Sequence, residues 1–239
     1  MHREELRQYS KVQRLVELFA ILAYLSTVVA LFVIIGFHVT SHIFIVIVAF
    51  LLGMAAADMM TGLLHWAGDT WGRHSWPIIG PVFIRPFREH HVDQKAITHH
   101  DFIETNGSNS LFSLPFVIIA LMFAFSSSLT AERIFLITFL GSTALCGFLT
   151  NQFHKWAHMD YPPRVAVLLQ KLGLILSPTH HKIHHTAPFE HHYAITNGWT
   201  NGFTRAIGFY RALEWVISKV TGAIPRESDT HVVSIIKRD

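Results

Sequence analysis

Charge is scarce in this sequence. Asp, Glu, Lys and Arg make up only 15% of its 239 residues, and hydrophobic residues make up 51%. A water-soluble domain carries about 25% charged residues, so this chain has too little polar surface to cover itself in water. Disorder and a coiled coil are excluded on the same ground. Cysteine is nearly absent: the single Cys146 can form no intrachain disulfide and leaves the redox compartment open. There is no His-Glu dipeptide, hence no HExxH, and neither a G-x-x-x-x-G-K-[ST] loop nor a helix-opening G-x-G-x-x-G is present. A peptidase-type zinc helix and a bound nucleotide therefore lack support. Internal repeats and low-complexity tracts are missing too. The net charge of +3 comes from bases scattered beside apolar runs, a pattern that suits a membrane surface and not a nucleic acid.

What is abundant is apolar length. A transmembrane helix needs about 20 mostly apolar residues. Residues 15–37, 43–64, 109–125 and 134–150 supply four such runs, with Asp58 interrupting the second. The expected fold is an all-α integral membrane protein of about four transmembrane helices with a cytoplasmic, histidine-rich helical cap. It forms a single domain over 1–239, in which 65–108 and 151–222 make up the cap and 223–239 a polar tail. Basic residues set the orientation. Arg3, Arg7, Lys11 and Arg14 precede the first run, Arg73, Arg85, Arg88 and Lys95 lie in 65–108, and ten Lys and Arg follow residue 150. The positive-inside rule puts these segments and both termini in the cytoplasm. No small-residue cleavage site follows the first run, which reads as an uncleaved anchor.

Histidine is the other excess: 18 residues, against 16 Asp and Glu together. Fourteen lie between His65 and His192, and in this orientation all fourteen are on one side of the membrane. His65 and Asp69, His154 and His158, and His181 and His185 are each four apart, so each pair shares a helix face. Pro178 and Thr179 suggest a helix start with Thr179 as cap, and Pro188 ends that helix. Imidazole suits Zn, Cu, Fe and Ni, whereas Mg and Ca demand oxygen. Eight to ten candidates without a usable thiol favour two metals over one, and an oxygen-activating iron centre over a hydrolase. Taken singly, His2, His38, His42, His74 and His231 read as surface residues. HHKIHH could be a solvated cationic turn, HKWAH an ordinary interfacial helix end, and Asp69 a plain partner of His65. Co-occurrence on one face carries the metal reading.

Five segments, GLLHWAGDTWG (62–72), FIRPFREHHVDQKAITHHDFIETNG (83–107), TNQFHKWAH (150–158), HHKIHH (180–185) and AITNGWTN (194–201), resemble the plasmanylethanolamine desaturases. That family makes the vinyl ether of plasmalogens and is related to plant desaturases acting on phosphatidylglycerol acyl chains. The resemblance implies two iron ions, O2 as co-substrate and an external electron donor of cytochrome b5 or ferredoxin type. It also implies a phospholipid substrate in a bacterial inner membrane or endoplasmic reticulum. It points to His65, Asp69, His90, His91, His100, His154, His158, His181, His184 and His185 as the functional set. One departure stands out: Phe189 falls where relatives carry a further histidine, and His191 or His192 is a potential replacement.

Glu89, Asp101, Glu104 and Glu190 are placed to orient imidazoles, with Asp69, Glu89 and Glu104 the catalytic candidates. The alternative for Asp101 and Glu104 is a capping box. Arg85 and Arg88 either bind lipid phosphate or snorkel to the interface. Two rival functions remain at this stage. One is acyl desaturation or hydroxylation on phosphatidylglycerol; the other is a non-catalytic membrane metal sensor.

Overall fold

A computed structural model describes residues 11–37, 41–73, 75–77, 79–80, 84–125 and 129–226, except the side chains of Arg85 and Glu89. The readings made for 227–239 and for His2, His38, His74 and His231 lie outside these residues. Among the described residues every regular element is helical. They are α1 (Lys11–Gly36), α2 (Ile43–Thr70), α3 (Arg85–Val92), α4 (Phe102–Ala124), α5 (Ala131–His158), α6 (Arg164–Lys171), α7 (Pro178–His184), α8 (Trp199–Ala206) and α9 (Phe209–Thr221), with a 3-10 turn at Ala96–His99. Four of them, α1, α2, α4 and α5, are long and apolar enough to cross a membrane. The chain is an integral membrane protein of all-α class.

These helices outrun the hydrophobic stretches that announce them. α2 continues six residues past Leu64 to Thr70, because HWAGDT holds no proline and its Gly68 stays helical, and the helix ends before Gly72, which takes φ +83°. Its 28 residues span about 42 Å, more than the roughly 30 Å of hydrocarbon. α5 likewise runs through HKWAH to His158 and stops before Pro162 and Pro163, which cannot continue a helix. α4 begins at Phe102, seven residues ahead of the expected 109. Its polar opening is a buried stripe, since Thr105, Asn106, Gly107 and Ser110 all face inward. Asp101 caps it by accepting a hydrogen bond from the Glu104 N–H at 3.0 Å, the capping alternative.

The chain divides into two compact units. The first holds residues 1–57 and 100–152. Here Ile21, Tyr24, Val28 and Leu31 of α1 pack with Val117, Ala120 and Ala124 of α4 and Ile137, Ala144 and Phe148 of α5. Gly107 is required where α4 meets α1, because a Cβ there would run into the Glu17 side chain. The second unit holds residues 58–99 and 153–239. Its packing centres on Trp66, Tyr193 and Tyr210, with a smaller cluster of Ala157, Leu176 and Ile195.

Asp58 organises the second unit. It is fully buried, and its carboxylate accepts from the N–H groups of Asn197 and Gly198 (Oδ1, 2.9 and 2.8 Å) and from the N–H and hydroxyl of Thr200 (Oδ2, 2.9 and 2.7 Å). These donors open α8, so one carboxylate satisfies the orphan donors of a helix N-terminus and complements its dipole. Asn201 completes the fixture by bonding the N–H and C=O of Ala194, both at 2.9 Å. The AITNGWTN segment is thus a structural clasp. The tail begins clasped as well: the Arg226 N–H donates to Thr70 O (2.7 Å), and its guanidinium forks onto Glu214 (3.0 and 2.8 Å).

Candidate metal centre

The extended ends of α2 and α5 carry histidines at four-residue spacing, and α3 and α7 add the rest. Together they form two groups within the second unit that could hold a metal ion. His65, Asp69, His91 and His184 make one; His90, His154, His158, His181 and His185 make the other. Within each group the potential ligand atoms all lie within 4.8 Å of one another. Helix geometry sorts them. His90 and His91 are neighbours on α3, so their side chains diverge by about 100° and enter different groups. His181 and His185 are four apart and enter one group together, while His184 enters the other. The groups adjoin, with the His91 and His185 rings 5.2 Å apart and those of His184 and His185 5.3 Å.

The first group is defined by buried atoms that form no hydrogen bond. His65 Nε2, His91 Nε2 and His184 Nε2 lie 3.3, 3.1 and 3.4 Å from Asp69 Oδ2. Those three nitrogens and both Asp69 oxygens are buried without a hydrogen-bond partner among the described residues. Such orphaned atoms are costly in an empty interior and are what a bound cation satisfies. The opposite ring nitrogens are fixed: His65 Nδ1 donates to Tyr193 O and His184 Nδ1 to His191 O, each at 2.9 Å. A ring that donates from Nδ1 presents the Nε2 lone pair, as a metal requires.

In the second group Nε2 atoms face Nε2 atoms. The separations are 2.9 Å for His90–His158, 2.8 Å for His154–His181, 3.1 Å for His158–His154 and 2.9 Å for His185–His181. Two nitrogens bound to one ion at about 2.1 Å sit roughly 3 Å apart, so this spacing fits five imidazoles around one metal. Burial and then the neighbouring rings push His90, His181 and His185 well below the ordinary histidine value. All three are neutral at pH 7 and keep a lone pair available. The donor set, nine residues with no sulfur, suits a first-row transition metal and not Mg or Ca.

His100 joins neither group: it precedes the cap of α4 in the first unit, with its Nε2 3.6 Å from Glu104 Oε1. Arg88 is buried and donates to Trp71 O and Gly72 O (3.3 and 3.2 Å), tying α3 to the turn after α2. Arg85 and Glu89 stand on α3, but their side chains lie outside the described residues. Glu190 pairs with Arg211 and Arg226 instead of a histidine. The α7 cap is Ser177, not Thr179. Ser177 Oγ accepts from the His180 N–H at 3.3 Å, and Pro178, which has no N–H, occupies the first helical position.

The His192 ring lies tilted at 60° against His180 (5.0 Å), and neither His191 nor His192 enters a group, while Phe189 packs edge-on to His91 at 4.9 Å. The imidazole orienters that sequence reasoning missed are backbone carbonyls, which leave no residue signature. They are delivered by a turn in which Phe189 and His192 both adopt positive φ, near 61° and 62°.

Membrane-spanning helices and paired histidine groups fit for metal define a histidine-rich integral membrane protein suited to metal-dependent chemistry. The chain belongs to the lipid desaturase domain family, whose match covers residues 54–228. It is 46% identical over 221 residues to a plasmanylethanolamine desaturase of Myxococcus xanthus, covering 92% of this chain and 78% of that protein. With plasmanylethanolamine desaturase 1 of Mus musculus it shares 45% identity over 200 residues, 82% of this chain and 73% of the relative. A chloroplastic fatty acid desaturase 4 of Arabidopsis thaliana is 34% identical over 181 residues, 73% of this chain and 52% of the plant protein. No solved structure matches the chain.

Proposed function

We propose that this chain is an O2-dependent desaturase that converts the 1-O-alkyl chain of a plasmanylethanolamine phospholipid to a vinyl ether. The observation that carries the reading is the pair of adjoining groups, one of five imidazoles and one of three imidazoles with a carboxylate, in a chain close to two plasmanylethanolamine desaturases. The nine grouped residues are proposed as ligands to two irons. Taking hydrogen from two adjacent unactivated carbons needs more oxidising power than any side chain has, and a redox-active metal pair supplies it when bound. O2 takes four electrons overall, two from the alkyl chain and two from an external donor of cytochrome b5 or ferredoxin type, and leaves as two waters.

The chain's own residues prepare the site. Tyr193 O and His191 O hold His65 and His184 in the ligating tautomer, and Asp69 offsets cationic charge. Arg88, through its two carbonyl contacts, holds α3 and therefore His90 and His91 in register; a direct phosphate contact is left to Arg85. His100 and Glu104 are proposed to act outside the ligand set. The site and both termini are assigned to the cytoplasmic face of a bacterial inner membrane or endoplasmic reticulum, by the distribution of Lys and Arg.

The test is expression in a plasmalogen-free host fed alkyl-ether phospholipid, followed by assay for acid-labile vinyl ether. Vinyl ether formed by the native chain and lost in His184→Ala supports the proposal. An altered acyl chain with no vinyl ether would move the substrate to the acyl rival, which the Arabidopsis relative's name favours. One zinc per chain, no iron and no oxygen uptake on reduction would favour a metal sensor.

A further inference from the structure

The second unit carries three short helices whose outward faces are apolar. On α6, Val165 and Leu168 are each 56% exposed, and Leu172 just beyond it 62%. On α8 and its exit, Phe203 and Ile207 are 64% and 56% exposed. On α9, Trp215, Val216 and Val220 are 64%, 47% and 80% exposed. Each helix is sided: α8 buries Asn201 and Thr204, and α9 buries Tyr210 and Glu214. These surfaces are linked. Trp199 Nε1, at the start of α8, donates to Gly173 O after α6 (2.7 Å), and Gly208 turns α8 directly into α9. At 8, 8 and 13 residues none is long enough to cross a bilayer.

Charge selects the occupant. The only acid on the three helices is Glu214, which is buried against Arg226. Arg164, Lys171, Arg205, Arg211 and Lys219 flank the apolar faces, and among the described residues only Arg211 makes an ion pair, with Glu190 and Glu214. On α9, Arg211, Trp215 and Lys219 follow one another at four-residue steps beside the row of Ala212, Val216 and Val220. An apolar row edged by cations and tryptophan is the pattern of a helix lying in a bilayer interface.

We propose that α6, α8 and α9 form a membrane-surface platform that rests on anionic phospholipid, with the apolar rows in the acyl boundary and Arg164, Lys171, Arg205 and Lys219 at the headgroups. This goes beyond the reaction and holds whichever lipid is desaturated.

The test is nitroxide depth measurement on the full chain in a Cys146→Ser background. Labels are placed singly at Leu168, Phe203 and Val220, with Phe19 of α1 as a lipid-facing reference and Thr179 of α7 as a water-facing one. The protein is reconstituted into vesicles of phosphatidylcholine alone or of equal parts phosphatidylcholine and phosphatidylglycerol. The expected result is that oxygen relaxes the three test labels more than a water-soluble nickel chelate does, as at Phe19, and more so in the anionic vesicles. The double variant Arg164→Glu, Lys219→Glu is expected to lose the anionic increment, with helical circular dichroism unchanged. Stronger relaxation by the nickel chelate overturns the proposal. So do labels reached by neither reagent, which would mean a protein partner or a second copy covers the surface, and so does a depth unaffected by lipid or protein charge.

Discussion

A carboxylate buried among amide donors and a carboxylate buried among imidazoles do different work in this molecule. The Asp58 carboxylate accepts four hydrogen bonds at the start of α8. Asp58→Asn turns an acceptor into a donor facing N–H groups and removes the charge that complements the helix, which is expected to cost about 2–3 kcal/mol. Thermal unfolding in detergent measures that loss, and metal content per folded molecule should stay unchanged. Asp69 is the opposite case. With three Nε2 atoms within 3.4 Å and no hydrogen bond to its carboxylate among the described residues, it faces only imidazoles. Asp69→Asn removes a buried unbonded charge, so it is expected not to lower the unfolding temperature of the metal-free protein and to halve the metal bound, as read by elemental analysis of purified protein. Equal metal content in the variant and the parent would remove Asp69 from the proposed ligands.

At the scale of elements, α7 is the decisive piece, because its seven residues and the cap residue His185 deliver three imidazoles to two groups. Ser177→Ala should cost about 1 kcal/mol through the lost cap, whereas Thr179→Ala, at the second helical position, should cost only a few tenths. Thermal unfolding of the two variants compares them directly, and the reverse order would return the cap to Thr179. Most of this element was legible in sequence. The i,i+4 spacing of His181 and His185 and the flanking prolines announced the helix, and four long apolar runs announced the spans. The division of HHKIHH between two groups was not legible, since it depends on where α3 and α5 present their own rings.

The polar opening of α4 reads in sequence as outside the membrane helix because Thr105 and Asn106 lower its hydropathy. Packing reverses that reading by burying them. Arg226 was equally hidden. A lone arginine in a polar tail carries no pattern, and only the fold brings Glu214 and Glu190 to it. Arg226→Ala leaves the buried Glu214 without its fork and is expected to cost about 3 kcal/mol, with Lys restoring only part, because an ammonium cannot bind both oxygens in plane. Denaturation of the three forms in detergent ranks them.

Across the whole molecule, folding, protons and metal are linked through the same rings. Burial and neighbouring imidazoles keep His90, His181 and His185 neutral in the folded chain, His185 down to about 2, whereas in the unfolded chain each titrates near 6.5. Between those values the unfolded state binds more protons, so stability falls as pH drops below 6.5, by up to about 1.4 kcal/mol per pH unit for each such ring. Above 6.5 both states are neutral and the dependence vanishes. Metal-free protein is therefore expected to be flat in stability from pH 8 to 7 and to weaken steeply between pH 6.5 and 5 in circular-dichroism melts. A bound metal needs the same neutral rings and binds the folded chain alone, so it should carry the acid transition to lower pH. Because the folded rings have already shed their protons, metal addition near pH 7 should release almost none. Calorimetry in buffers of different ionisation enthalpy reads that number directly. Release of several protons would mean that the rings are charged before metal arrives and that their convergence is a consequence of binding.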